Sequence, residues 1–206
     1  RPDMDPGHLS DLQLDALAEV GNIGAGHAAT ALSQLVGSAV SIDVPEVRLL
    51  PVTAVTGVFG GPENLVGAVY SRLLGDLSGG LLFIAVRQDL LALADLLRAR
   101  QVGSSKSLGE DEEGVVIHAA SVLQAAYAAA ISRFTELSVL PSPPQFAFDM
   151  MGAILEAVST TIGMKADTAI LIMTRFETED VSVDAALFYL PDPDSLDVLL
   201  GRLGIV

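Results

Sequence analysis

Two uncharged stretches of similar sequence constrain the fold of this chain more than any other feature. Val20–Ile42 and Gly114–Ser132 contain no Asp, Glu, Lys or Arg. Five residues recur at an offset of 99, with Ala29, Ala31, Ser33, Val40 and Pro45 matched by Ala128, Ala130, Ser132, Val139 and Pro144. Further on, LFIAV at 82–86 resembles LFYLP at 187–191, at an offset of 105. Similarities in the same order predict a tandem duplication within one domain. Its halves are about 9–99 and 110–206, and the linker is 100–109 (RQVGSSKSLG).

Both halves predict the same series of elements. The long helices are about Ser10–Val36 and Glu110–Glu136, and the closing helices are Asp89–Arg98 and Asp194–Leu203. The strands are Ala39–Leu50, Leu65–Leu74 and Leu81–Val86, then Ala166–Glu177 and Val181–Leu190, with an extra short helix near Asp149–Ile162. Alternating apolar residues and short loops favour mainly antiparallel strands. The predicted class is α+β with pseudo-twofold symmetry.

A stripe of small and apolar residues runs along the first long helix. It steps by three and four residues through Leu14, Leu17, Gly21, Gly24, Ala28, Ala31 and Leu35. Its counterparts in the second long helix are Val116, Ala120, Leu123, Tyr127, Ala130 and Phe134. Small residues in one stripe match larger ones in the other. We therefore expect the two helices to pack on each other across the pseudo-twofold axis.

A second stripe on the same helix is polar. Asp15, Glu19 and Asn22 share one helix face at positions i, i+4 and i+7, and Gly26 and Ala29 continue the line. From the pattern alone a solvated helix face is the favoured interpretation, and a site with an unobstructed approach is the alternative. The segment GAGHAA at 24–29 also matches GxGxxA. That motif binds dinucleotides only after a strand and a tight turn, and here a helical pattern precedes it, so nucleotide binding is not expected.

Composition removes several function classes. The chain has 206 residues, 26 acidic against 11 basic, and a net charge of −15, which disfavours nucleic-acid partners. The absence of cysteine excludes thiolate chemistry, and the three histidines form no HxxxH or HExxH, so no metal is expected on this chain. Only two of the basic residues are lysine. This balance favours a salt-rich cytoplasm, and an ordinary acidic protein is the alternative.

Neither uncharged stretch predicts insertion into a membrane. Both approach the length of a span, but polar residues interrupt them, which is typical of central helices in a globular fold. The first six residues, RPDMDP, contain acids and prolines instead of an apolar run, so a signal peptide is not predicted. The sequence does not begin with Met, which leaves room for further residues upstream.

The segment 14–33 (LDALAEVGNIGAGHAATALS) resembles the first phosphatase helix of the CheC/CheX/FliY family, most closely in its CheC branch. The family pattern is Asp or Ser, three residues, Glu, two residues and Asn, followed some twenty residues later by a proline. Here Asp15, Glu19, Asn22 and Pro45 match it. The second half resembles the family at 126–127, 140–144 and 148–150. The resemblance implies a duplicated α/β fold with two long helices on one side of the sheet.

The resemblance also implies a function and its residues. It points to a cytoplasmic chemotaxis protein that hydrolyses the phosphoaspartate of the response regulator CheY. Asn22 and Glu19 would be catalytic, and Asp15 would serve docking. At the offset of 99 their second-half counterparts are Ser121, His118 and Gly114. The acid and the amide are absent there, so we expect one active site.

The same resemblance implies a cofactor arrangement and partners. Mg²⁺ is expected on the regulator and no cofactor on this chain. The partners would be phosphorylated CheY and the receptor deamidase CheD. Two alternatives stay open: a non-catalytic adaptor that binds CheD or phosphorylated CheY, and a flagellar switch component of the FliY type. The second would need an added motor-binding domain.

Overall fold

The computed structural model describes residues 11–162, 167–178 and 181–203. The first half contains α1 (Asp11–Val36), β1 (Ser41–Pro51), a 3₁₀ turn (Val52–Ala54), α2 (Val55–Val58), β2 (Leu65–Gly75), β3 (Gly79–Val86) and α3 (Arg87–Leu97). The second contains α4 (Glu110–Thr135), β4 (Val139–Pro141), β5 (Gln145–Met150), α5 (Met151–Ile162), β6 (Thr168–Glu177), β7 (Ser182–Pro191) and α6 (Ser195–Arg202). The α+β class is confirmed. Ser10 and Ala166, and the predicted outer limits at 9 and 206, lie outside the described residues.

The strands form one antiparallel sheet whose halves are interleaved. Its order is β1-β6-β7-β3-β2, and the far edge of β2 pairs with both β4 and β5. The opening strand or strands of each half therefore pair with the other half: β1 with β6, and β4 and β5 with β2. If each strand is replaced by its counterpart in the other half, the same order is obtained, read from the opposite edge of the sheet. A duplication would produce this symmetry. The duplication and its linker bounds stay predictions.

The two long helices cover one face of the sheet, as expected. Along β3, Leu81 and Phe83 belong to the core shared with α1 and α4. Their neighbours Leu82 and Ile84 point to the opposite face, where α5 closes a smaller core. This alternation is the two-residue period of a strand buried on both faces. The site helix α1 is therefore supported from below by the larger core.

The predicted packing stripe holds for most of its length and is wrong at its end. Both long helices have 26 residues and begin and end at an offset of 99. Leu17, Gly21, Gly24 and Ala28 are buried, but Ala31 and Leu35 are exposed and Leu32 is buried instead. On α4 the stripe is buried as far as Ala130, and Phe134 is exposed. Steps of three and four average 3.5 residues per turn, so the stripe drifts by about 20° per heptad around a helix of 3.6.

Four short elements were not predicted. β4 and β5 lie in a segment rich in proline, where the sequence pattern indicates a loop. The 3₁₀ turn and α2 together span only seven residues, Val52–Val58. The short helix predicted near Asp149–Ile162 is confirmed as α5 (Met151–Ile162), and the much shorter α2 follows β1 at the corresponding place in the first half.

A buried carboxylate fixes the segment that joins α3 to α4. Asp95 is fully buried and accepts hydrogen bonds from the backbone N–H groups of Gly103 and Ser105 and from the Ser105 hydroxyl, the last at 2.7 Å. Burial raises the pKa of Asp95, but these hydrogen bonds outweigh it and leave the pKa below its usual value. At the start of α4, Glu112 accepts from the Gly109 N–H and faces Arg98 and Arg100. The segment is tied down at both ends.

One helix among the described residues, α4, is long and apolar enough to cross a membrane. Half of its most apolar stretch is buried inside the fold, against α1 and the sheet. A core helix passes the same test of length and composition, so this feature is weak evidence for a span.

Candidate active site on the first long helix

The site helix ends against the strand that follows it. Gly37 adopts a left-handed conformation (φ 73°), and its N–H donates to the Ser33 carbonyl, which terminates α1. The Ser33 hydroxyl then donates to the Val40 carbonyl at 3.1 Å and accepts from the Val40 N–H at 2.9 Å. These bonds hold the entry of β1 against the last turns of α1.

The helix approaches its neighbours closely because it has glycine where they meet. A Cβ at Gly24 would lie 3.0 Å from a ring atom of Tyr127 and 3.1 Å from its Cα. A Cβ at Gly21 would lie 3.5 Å from Val44 of β1. Burial raises the pKa of the Tyr127 hydroxyl, so this side chain stays neutral under the helix. Gly24 and Gly21 therefore allow α1 to pack closely against α4 and β1.

The predicted polar stripe lies on the opposite, solvent-facing side of α1. Asp15, Glu19, Asn22 and Gly26 are exposed, and Ala29 is half-buried. Among the described residues, neither carboxylate enters an ion pair, and the Asn22 side chain has no hydrogen-bond partner. A Cβ at Gly26 would meet nothing within 4 Å. The helix thus presents two carboxylates and one carboxamide on its exposed face, with open space next to them at Gly26.

A bulge in β1 lies beside the turn that carries Asn22. The pairing of β1 with β6 shifts register between Asp43 and Glu46, so Val44 and Pro45 fall in the bulge. Pro45 is exposed there, and Val44 contacts the helix at Gly21, next to Asn22 in the chain. Pro45 and Asn22 are thus the chain neighbours of two residues, Val44 and Gly21, at which β1 packs against α1. Sequence reasoning missed Val44, for which only the strand-interrupting proline is a signal.

The corresponding face of α4 lacks the same chemistry. Gly114 and His118 are exposed, and the half-buried Ser121 donates its hydroxyl to the Ile117 carbonyl at 2.6 Å. This bond turns the hydroxyl back onto its own helix. Gly114 and His118 line a groove of about 470 Å³, together with Leu35, Leu97, Arg98, Glu110, Asp111 and Val115. No carboxylate–amide pair stands on this face, although two acids of the first helical turn lie at the rim.

The chain is similar to known proteins of one family. A family model described as the CheC-like family matches residues 12–48, which include the whole polar stripe. The chain is 30% identical over 200 residues to the CheY-P phosphatase CheC of Bacillus subtilis (strain 168), covering 95% of this chain and 96% of that protein. It is also 30% identical over 189 residues to the flagellar motor switch phosphatase FliY of the same organism, covering 91% of this chain and 41% of that protein.

Solved structures show the same fold at lower identity. Thermotoga maritima FliY matches with a TM-score of 0.79 at 19% identity, covering 95% of this chain and 98% of that one. The middle domain of FliM from H. pylori matches with a TM-score of 0.64 at 12% identity, covering 94% and 99%. At such identities these likenesses describe the architecture alone.

Proposed function

The chain belongs to the CheC-like family, and on that premise we propose that it hydrolyses the phosphoaspartate of the response regulator CheY from a single site on α1. One observation carries the proposal. Asp15, Glu19 and Asn22 stand on one exposed face of a continuous helix, with no side-chain partner in the part of the chain that the structure describes, and all three lie inside the segment that the family model matches. Such a face is available to a second protein and provides no enclosed pocket for a small substrate.

Hydrolysis of a phosphoaspartate requires few catalytic groups from the phosphatase. A phosphoaspartate is an acyl phosphate and already reactive, and we expect the Mg²⁺ that neutralises its charge to be held by the regulator. What remains is to position a water molecule in line with the phosphorus–oxygen bond and to keep it there. No general base on this chain is required. Positioning of this kind is worth about 10²–10⁴ in rate, or about 3–5 kcal/mol.

Asn22 is suited to position that water. A carboxamide accepts a hydrogen bond through its oxygen and donates through its nitrogen, so one side chain can hold the water and contact the phosphoryl group. Asn22 is exposed and has no competing partner among the described residues. The neighbouring Gly26 adds no side chain that would keep the regulator away.

Glu19 supports catalysis by Asn22 in this mechanism by fixing the docked regulator, and Asp15 serves docking alone. Glu19 lies one turn before Asn22 on the same face, where its carboxylate would pair with a lysine of the regulator. Asp15 lies one turn earlier and would add to the same attraction. Because both carboxylates are exposed, their contribution should weaken as salt increases.

The second half would contribute no second active site. His118 differs from glutamate in shape and charge, and the Ser121 hydroxyl is bonded to its own helix. This degenerate face is also what favours the second candidate, an adaptor that binds CheD or phosphorylated CheY without hydrolysis. In either role we place the protein in the cytoplasm, and the net charge of −15 with two lysines favours a salt-rich one.

Substitution at Asn22 separates the enzyme from the adaptor. Asn22→Ala removes the carboxamide from an exposed helix position where alanine favours the helix, so the fold should persist. Turnover of phosphorylated CheY should fall by about 10²–10⁴, while binding to a CheY–beryllofluoride complex should hardly change. Glu19→Ala should weaken both turnover and binding.

Gln34→Ala is the matched control. It removes another exposed carboxamide from α1, three turns further on and away from the stripe, and should leave turnover unchanged. The assay follows decay of regulator phosphate against protein concentration, with a binding titration in parallel. Full turnover by Asn22→Ala, or none by the unmutated protein even with CheD present, would reject the enzyme in favour of the adaptor.

A further inference from the structure

Two large apolar side chains are exposed on the long helices near the candidate site. Leu12 is 71% exposed and lies one turn before Asp15, in line with Glu19. Phe134 is 42% exposed and lies in the last turn of α4, in the half that lacks the acid and the amide. A single exposed leucine is ordinary on a protein surface, but an exposed aromatic residue and an exposed leucine beside the polar stripe require an explanation.

The position of Phe134 follows from two contacts between the helices. Gly24 packs against Tyr127 where α1 meets α4. Leu35 shares a groove with Val115 and His118. From Gly24 to Leu35 the chain advances eleven residues along α1, while the neighbouring residues on α4 go back from Tyr127 by nine (His118) to twelve (Val115). The two helices therefore run antiparallel.

The same count places Phe134 beside the site. Phe134 follows Tyr127 by seven residues, and Leu17 precedes Gly24 by seven, so equal helical rise brings Phe134 level with Leu17. Leu17 lies between Asp15 and Glu19. An internal cavity lined by both Leu17 and Ile131 supports this register independently.

The offset of 99 leads to the same neighbours. Leu35 and Phe134 are counterparts, and Gly114 and His118 are the counterparts of Asp15 and Glu19. Leu35 lines a groove with Gly114 and His118. Exchanging the halves therefore sets Phe134 beside the two carboxylates of the site.

We infer that Phe134, with Leu12, is an apolar anchor for the phosphorylated regulator, so that the docking surface is built from both halves. The inference rests on the proposed function. It commits to one occupant, a CheY-type regulator whose surface next to its phosphoaspartate carries an apolar patch. The carboxylates confer orientation that depends on salt, and the apolar pair confers affinity that does not. Neither side chain touches the phosphoryl group, so both act on binding.

The test compares counterpart residues. Initial rates are measured against the concentration of a CheY-type regulator phosphorylated by acetyl phosphate, and affinity is titrated with its beryllofluoride complex. Phe134→Ala should raise KM and Kd about tenfold, equivalent to about 1.4 kcal/mol, with kcat within about twofold. Leu12→Ala should act in the same direction. Phe134→Leu should keep most of the affinity.

Leu35→Ala is the control, because it truncates the counterpart residue, 57% exposed, on the face without the pair. It should change neither constant. Equal constants for Phe134→Ala and Leu35→Ala would overturn the inference, and so would a lower kcat at unchanged KM. An active Asn22→Ala variant would instead refute the proposed function, and the titration would still decide whether Phe134 anchors the regulator.

Discussion

Replacing Gly24 with alanine measures how closely the two long helices approach one another. In an open helix interior, Gly→Ala stabilises by about 1 kcal/mol. At Gly24 the new methyl group would lie 3.1 Å from the Tyr127 Cα, a backbone atom that cannot rotate away. Overpacking of this kind costs about 1–3 kcal/mol. The expected net effect is a loss of about 1 kcal/mol.

Two other glycines of the same helix provide graded controls. At Gly26 an added Cβ meets nothing within 4 Å, so Gly26→Ala should stabilise by about 1 kcal/mol. At Gly21 the nearest atom is a Val44 methyl at 3.5 Å, an ordinary contact, so Gly21→Ala should fall between the other two variants. The order of the three tests the geometry more stringently than one value does.

Urea unfolding at fixed salt gives the free energies, and thermal melts give a second reading. A difference of about 2 kcal/mol between Gly26→Ala and Gly24→Ala corresponds to about 4–8 °C in Tm for a chain of this size. Equal m-values would show that the variants unfold from the same compact state. If Gly24→Ala were as stable as Gly26→Ala, the described closeness of α1 and α4 would be wrong.

Three further predictions concern the linker, the charge and the second face. Asp95→Asn should destabilise by about 2–3 kcal/mol at neutral pH. Because hydrogen bonds lower the pKa of Asp95, the difference in unfolding free energy between the two proteins should have its full value above pH 3.8, the usual pKa of the group. It should shrink when the urea melts are repeated at lower pH. With a net charge of −15, the protein should melt at a lower temperature in about 0.05 M than in about 2 M KCl, and equal melts would remove the halophilic interpretation. His118→Ala and Ser121→Ala should each leave phosphate decay within about twofold, and loss of activity in either would reveal a second site.

Helical periodicity predicted which residues of α1 are exposed, because exposure along a helix is a local property, and the family resemblance is what marked that exposed face as a site. The bounds of α1 and α4 came within one residue, and the faces of Asp15, Glu19 and Asn22 followed directly. The end of the packing stripe was mispredicted because a repeat of 3.5 residues per turn was assumed over three heptads, whereas the α-helix has 3.6 residues per turn. The error hid the exposure of Leu35 and Phe134.

Interactions between distant segments were beyond the sequence pattern. The two strands β4 and β5 exist because β2 offers them an edge, and three prolines mask them in the sequence. The bulge at Val44 depends on pairing with β6, more than 120 residues later in the chain. The roles of Asp15, Glu19 and Asn22 stay predictions until they are measured.

The exchange of opening strands between the halves has a consequence for synthesis in the cell. Among the described strands, β1 lies at one edge of the sheet and its pairing partner is β6, with Ser41 opposite Glu177. A ribosome that has completed α1 and β1 must therefore add well over a hundred residues before that strand has its partner. Contacts so distant in sequence form late. A truncated chain would contain every residue of the polar stripe but would lack the packing that holds α1 in place. An unfinished copy should therefore not dephosphorylate the regulator.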